Sequence, residues 1–230
     1  MTRWVVANMV AGLDGSAAVD GRVAALSNAA DRALFVALRA EADVVLVGAG
    51  TVRAERYGPV VLSEEQSAAR GADGRTPTPP IAVVSRSLQF DWSAPLFAAG
   101  PGPRPLIVTC ETADADRRSE AADHAEVLVA GDAEVDLDAA LDQLADRGLR
   151  RVLTEGGPAL LGELIELGLL DELRLSIAPV VGGDPLPIAT ATESDHPGGR
   201  SLTTFDLADV RQEDSHLFLQ YLTRRPHDAR

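Results

Sequence analysis

Cysteine is nearly missing from these 230 residues, with Cys110 the single one. An intrachain disulfide and a zinc site built on several thiolates are both excluded, and a reducing, cytoplasmic home is expected. Aromatic residues are scarce too, at 4% against 46% hydrophobic overall, so any core has to be assembled from Ala, Val and Leu. No apolar run approaches the ~18 residues that a membrane-spanning helix needs. The opening MTRWVVANMV lacks the apolar stretch and small-residue cleavage site of a secretory signal. Positive charge is in deficit: 21 Lys and Arg against 35 Asp and Glu leave a net −14. Such a chain offers phosphates no general attraction, which argues against non-specific nucleic-acid binding, and the acidity otherwise serves solubility. An anionic ligand has to be held locally.

What the chain does have is rhythm. Short apolar runs alternate with amphipathic ones: WVVANMV, ADRALFVALRA, DVVLVGAG, PIAVVS, PLIVT, AEVLVA, LDAALDQLA, RRVLTEGG, PALLGELIEL and DELRLSIAPVV. This predicts strands joined by helical crossovers in a mostly parallel sheet, one α/β domain over residues 1–223. The strands barely alternate, as strands buried on both faces should. SLTTFDLADVRQEDSHLFLQYLT has no helical period and reads as two strands that pair antiparallel at the sheet edge. RRPHDAR, 224–230, reads as a polar tail. Asn28, with Asp31 three residues on, caps a helix whose Leu34, Phe35 and Leu38 share a face. Leu137, Leu141 and Leu144 repeat that pattern, and Gly168 stands where a left-handed helix cap belongs. SEEQSAARGADGRTPTPP, 63–80, is polar and rich in breakers and reads as a mobile loop.

One local device occurs twice: a Val/Leu strand ending in glycines ahead of a helix start. In DVVLVGAGTVRAE, Gly48 and Gly50 let backbone approach a ligand. Thr51 is placed to cap the next turn, whose N–H groups favour an anion. The full dinucleotide fingerprint is missing, because Arg53 holds the third glycine position and no acid ends a strand about 20 residues on. The Gly-Lys-Ser/Thr ending of a P-loop is missing as well, and a plain tight turn accounts for the two glycines equally well. In VLTEGGPALLGELIELG, Gly156 and Gly157 expose N–H groups, and Pro158 suits the first helical position. A phosphate fits such a turn, yet beside Glu155 it would be repelled by about 4 kcal/mol for unit charges ~4 Å apart at an effective dielectric of roughly 20. Glu155 therefore serves a ligand group that donates hydrogen bonds, an amino-substituted ring or a sugar hydroxyl, or else pairs with a neighbouring cation such as Arg151. Both turns end strands, where open α/β sheets bind ligands, and two of them suit a dinucleotide.

Five stretches, VANMVAGLDG (6–15), LRAEADVVLVGAGTVRAE (38–55), VVSRS (83–87), LTEGGPALLGELIELGLLDEL (153–173) and LSIAPVVGGDP (175–185), together resemble the riboflavin-pathway pyrimidine reductase family over nearly the whole chain. The resemblance implies a dihydrofolate reductase-like three-layer α/β sandwich, with a mostly parallel central sheet and antiparallel C-terminal strands. It implies a homodimer to whose interface those strands contribute. It also implies that NADPH reduces a small molecule, a ribosylamino-pyrimidinone 5′-phosphate, whose ring-linked ribose becomes a ribityl chain. Hydride passes to the first sugar carbon through an open-chain imine, and the protein's share is orientation, charge placement and exclusion of water. Residue by residue, Val10, Ala11, Thr51, Glu55, Ser85 and the turn Gly157, Pro158, Ala159, Leu160, Leu161 would hold the dinucleotide. Gly48, Gly50 and Gly156 supply its close backbone approach, and Arg39 and Glu155 would face the substrate. Glu155, Asp14 and Asn8 fall at the catalytic positions. Ser85 beside Arg86 suits the extra phosphate that separates NADPH from NADH. Each has a plainer reading: Arg39 as a cation at a helix end, Ser85-Arg86 as a turn, Asp14-Gly15 as a common turn pair.

Departures from the family pattern bear on the substrate. Members fused to a deaminase often carry Lys where this chain has Asn8, Ser-x-Trp where it has Ala24-Ala25-Leu26, and Arg where it has Leu62; stand-alone members more often have Asn at the first. Asn is no general acid, so a proton for the imine nitrogen would come from water or Glu155, and Arg53 or Arg56 is left to take over the phosphate grip. His124-Ala125-Glu126 matches the start of a zinc deaminase signature, but its Cys-x-x-Cys cannot exist with Cys110 alone, and no metal is expected. The alternatives are a paralogue that reduces dihydrofolate or a related pterin, and a non-catalytic NADP-binding protein.

Overall fold

Short apolar runs rich in Val, Ile and Leu, such as VVLVG and LIVT, form the strands of the parallel part of the sheet. A computed structural model describes residues 3–98, 100, 102–190 and 202–224, so the tail expected beyond 224 lies outside the described residues. In chain order the elements are β1 (Trp4–Ala11), α1 (Ala29–Glu41), β2 (Val44–Gly48), α2 (Ala49–Ala54), α3 (Glu64–Ala72), β3 (Ile81–Val84), β4 (Leu106–Thr109) and α4 (Ala115–His124). There follow β5 (Glu126–Val129), α5 (Leu137–Asp146), β6 (Arg151–Thr154), α6 (Pro158–Glu166), β7 (Glu172–Ile177), β8 (Phe205–Glu213) and β9 (His216–Thr223). The architecture is mixed α/β, largely parallel, with antiparallel strands at the C-terminal end. Contacts divide the chain into two units, one of Met1–Arg3 with Phe35–Leu153, the other of Trp4–Leu34 with Thr154–Arg230.

In the first unit the strands run in the order β5, β4, β3, β2, β6, and β2 to β5 pair in parallel. Val44 to Val47 and Leu106 to Thr109 are all buried, as doubly covered strands require. The register sets Gly48 beside Val84, so the turns after β2 and β3 start side by side. Leu137, Leu141 and Leu144 line the buried face of α5, whose N-cap Asp136 accepts the N–H of Ala139. Asp43 ties strand starts together by accepting the N–H groups of Arg150 (3.0 Å) and Arg151 (2.8 Å). Cys110 is fully buried, its Sγ 3.5 Å from the Ala133 carbonyl and 3.8 Å from the Thr112 hydroxyl.

The stretch 63–80 is not the loop that its composition predicts: residues 64–72 form α3. Its start is a capping box, Ser63 accepting from the Gln66 N–H while the Gln66 side chain accepts from the Ser63 N–H. A single residue, Arg70, is its buried contact, and the guanidinium donates to the carbonyls of Thr76 (2.9 Å), Ala40 (2.9 Å) and Ala42 (2.5 Å). Burial, reinforced by the nearby charge of Arg75, holds that guanidinium below its ordinary pKa. A polar anchor takes the place of an apolar stripe, which is why periodicity misses the helix. α4 likewise lacks an apolar stripe, being capped by Asp114 and burying Ala121 alone.

In the second unit the order is β1, β7, β9, β8. β1 and β7 are parallel, and β9 pairs antiparallel with both β7 and β8. Asp214 and Ser215, both at positive φ, make the two-residue turn of the β8–β9 hairpin. Asn28 caps α1 as its spacing predicts, accepting the Asp31 N–H at 2.8 Å. At the far end of α6, Gly168 takes φ +65, and the Leu169 N–H reaches back to the Leu164 carbonyl at 2.9 Å. On one face of the sheet Val10 and Ala178 pack with Leu26, flanked by Val19 and Val23.

Candidate active site

Glu155 leaves the end of β6 in the second unit and is 8% exposed, an acid where the apolar run stops. Gly156 follows at φ +83, and a Cβ there would stand 3.2 Å from the Met9 side chain of β1. Only glycine turns the chain this tightly against the strand. Gly157 is the N-cap of α6, Pro158 its first residue, and no side chain caps the helix. The nine-residue helix therefore starts with backbone alone, the arrangement that suits a phosphate. Leu160 and Leu161 are buried on its inner face, and Ala159 is exposed. Gly162 is flush with the segment before residue 190: a Cβ would fall 1.7 Å from the Thr190 carbonyl oxygen, and the Thr190 N–H donates to Pro158 O at 3.0 Å.

On β1, Asn8 is half-buried beside Arg174 of β7, while Val10 and Ala11 are buried beside Ser176 and Ile177. Past the strand, Asp14 is exposed, yet its carboxylate accepts the N–H of Gly183 (2.7 Å) and of Ser16 (3.2 Å). The Gly183 hydrogen bond, then those of Ser16, hold its pKa down at about 2. Leu13 N–H and Ala17 N–H donate to the carbonyls of Val180 and Leu186, so the segments 12–17 and 180–186 are zipped together with Asp14 as the clasp.

The first unit holds the other expected residues. α2 begins at Ala49 with Gly48 as its N-cap, so Thr51 is the third residue inside the helix and not a cap. A strand that runs straight into a helix leaves no extra turn for a threonine to cap. Gly50 is exposed, and Glu55 closes α2 with its N–H on the Thr51 carbonyl. Ser85 and Arg86 extend past β3, next to the Gly48 turn in register. The Ser85 hydroxyl accepts the Leu88 N–H at 3.1 Å, and Arg86 pairs with Glu134 at the surface. Arg39, in the last turn of α1, lies 4.0 Å from the Phe35 ring centroid and 5.7 Å from that of Tyr57. Arg53 donates to the Gln89 carbonyl at 3.2 Å, Arg56 is exposed, and the guanidinium of Arg151 pairs with Glu41 at 2.5 Å. His124 and Glu126 are occupied structurally, His124 stacked on Trp92 at 4.8 Å and Glu126 paired with Arg147. Among the described residues no three His, Cys, Asp or Glu cluster to hold a metal, and no helix is long and apolar enough to cross a membrane.

Comparison with known proteins places this geometry in a lineage. Residues 3–217 match the family model described as the RibD C-terminal domain. A 2,5-diamino-6-ribosylamino-4(3H)-pyrimidinone 5′-phosphate reductase of Archaeoglobus fulgidus is 33% identical over 196 residues, 84% of this chain and 89% of that protein. Its counterpart in Methanothermobacter thermautotrophicus is 32% identical over 184 residues, 80% of this chain and 81% of its own. Among solved structures, a pyrimidine reductase-like protein of Corynebacterium diphtheriae superposes with a TM-score of 0.83 at 30% identity, covering 97% of this chain and 92% of that one. Matched over most of its length in both sequence and fold, the chain belongs to the RibD C-terminal domain family of pyrimidine reductases.

Proposed function

We propose that this protein is an NADPH-dependent reductase converting a ribosylamino-pyrimidinone 5′-phosphate, the 2,5-diamino compound first, into its ribitylamino product in riboflavin biosynthesis. The observation that carries the reading is the β6–α6 turn: a buried carboxylate, Glu155, directly ahead of a glycine-built helix start that no side chain caps. Family membership and the names of the relatives support it.

NADPH, when bound, supplies a hydride to the first sugar carbon of the open-chain imine; one proton completes the amine, and NADP⁺ leaves. Backbone N–H groups of the α6 start would hold dinucleotide phosphates, and the Gly48–Thr51 segment would supply a further close backbone approach. The β1 end at Val10 and Ala11, with Thr51, Glu55, Ser85 and Arg86, would make the remaining cofactor contacts. Glu155 accepts hydrogen bonds from the substrate and, itself or through a water it holds, delivers the proton to the nitrogen. Arg39, braced against Phe35 and Tyr57, faces the substrate's charged groups.

The test is NADPH consumption by the purified protein with the diamino-pyrimidinone riboside phosphate, its deaminated uracil counterpart and dihydrofolate side by side. Turnover of a pyrimidine is expected. Turnover of dihydrofolate alone would make the chain a repurposed paralogue, and NADPH binding with no turnover would make it a non-catalytic binder.

A further inference from the structure

We infer that Ser176 of β7 is a substrate-binding residue of this reductase, acting with Asn8 of β1 to hydrogen-bond the amide-like edge of a pyrimidinone ring; the inference rests on the reductase reading above. In the β1–β7 ladder Asn8 stands beside Arg174 and Val10 beside Ser176. Side chains in register on parallel neighbours share a face, as do alternate residues of one strand. Asn8 and Ser176 are therefore diagonal neighbours on one side of the sheet, the side to which Val10 also projects.

Ser176 is 0% exposed, and its Oγ has no hydrogen-bonding partner; the Oδ1 of Asn8 is likewise buried without one. Two buried polar neighbours on the same face, Glu172 and His216, are satisfied. The Glu172 carboxylate accepts from Trp4 Nε1 (3.2 Å) and Gln220 Nε2 (3.1 Å) and pairs with Arg174. The His216 ring is bonded to Asn28 (3.0 Å) and to the Leu26 carbonyl (3.2 Å). Buried hydroxyls and amides are normally paired, so two stranded together on adjoining strands mark a place where a partner is supplied from outside the fold. An amide oxygen that accepts, beside a hydroxyl that donates or accepts, matches a ring edge carrying N–H next to C=O. That edge belongs to a pyrimidinone, and a pterin carries it too.

Ser176→Ala in the full chain, with NADPH-oxidation kinetics and thermal unfolding, tests this. The KM for the pyrimidinone substrate should rise about tenfold, the worth of one hydrogen bond to a matched group. The kcat should hold within about threefold, the KM for NADPH should not change, and the unfolding midpoint should stay or rise because a stranded hydroxyl is gone. Ser176→Thr, which keeps the hydroxyl, should restore the lower KM. An unchanged substrate KM in Ser176→Ala overturns the inference and leaves Ser176 a core defect or a water site. A wild-type protein that turns over no pyrimidinone defeats the reductase reading separately. Ser176 is then decided by calorimetry with free 2,5-diamino-6-hydroxypyrimidinone: weaker binding to Ser176→Ala supports the role, whereas equal binding to both proteins, or none to either, ends it.

Discussion

Asp14 is an exposed carboxylate held by hydrogen bonds from Gly183 and Ser16. The Gly183 N–H, then the side chain and N–H of Ser16, hold its pKa at about 2, down from 3.8. A depressed carboxyl stabilises the folded chain above its unfolded pKa, and that contribution is lost as pH falls through the folded value. Asp14 is therefore expected to serve as an anionic clasp or electrostatic contact. Asp14→Asn should speed amide exchange at Gly183 and leave the acid limb of the kcat profile in place; a shifted limb would make Asp14 a proton carrier after all. The chain contains no lysine, so none elsewhere replaces the one that deaminase-fused members often carry at the Asn8 position. Glu155→Gln should lower kcat by about a hundredfold or more while NADPH affinity stays within about twofold, and equal losses in both would sink its substrate-facing role. Arg86 is paired with Glu134 and well exposed, so it is available only if a stronger anion displaces that partner. Arg86→Ala should cut the preference for NADPH over NADH by about tenfold; an unchanged ratio would remove it from the phosphate site.

At the scale of elements, α3 depends on one side chain. Arg70 satisfies three carbonyls from two segments at 1% exposure. Arg70→Leu keeps bulk but strands those acceptors and should cost about 3 kcal/mol in urea unfolding; a loss under about 0.5 kcal/mol would mean that water replaces the guanidinium without penalty. This helix also marks where reading the chain fails. Strands were legible because Val and Ile runs such as VVLVG leave no other reading, and α5 and α6 because leucines recur at helical spacing. α3 and α4 carry no apolar stripe to count, and the one available signal, Ser63-Glu-Glu-Gln66, was hidden among breakers. Thr51 was misplaced because a strand and a helix abut with no turn between them. In the candidate site the Glu155 turn stood out since an acid and two glycines interrupt an apolar pattern. Ser176 did not, because a serine in a strand carries no local mark; its missing partner is a property of the ladder around it.

For the molecule as a whole, the C-terminal hairpin is the surface to watch. β8 is exposed along nearly its whole length, with its Leu207 and Val210 and the Leu217 of β9 all exposed. We propose that a second copy covers it, and sedimentation should return twice the chain's mass, falling to the monomer in Val210→Glu. A wild-type protein that sediments as a monomer at all concentrations would refute this pairing.

The sealed thiol in the first unit makes that question unusually accessible. Cys110 is closed off beneath Thr112 and the Ala133 carbonyl, so maleimides and nitroxide reagents find no target on the native surface. A cysteine engineered at Asp209, on the outer strand, would be the lone reactive handle, and one dye or spin label per chain would report the separation between two copies without first replacing the protein's own cysteine.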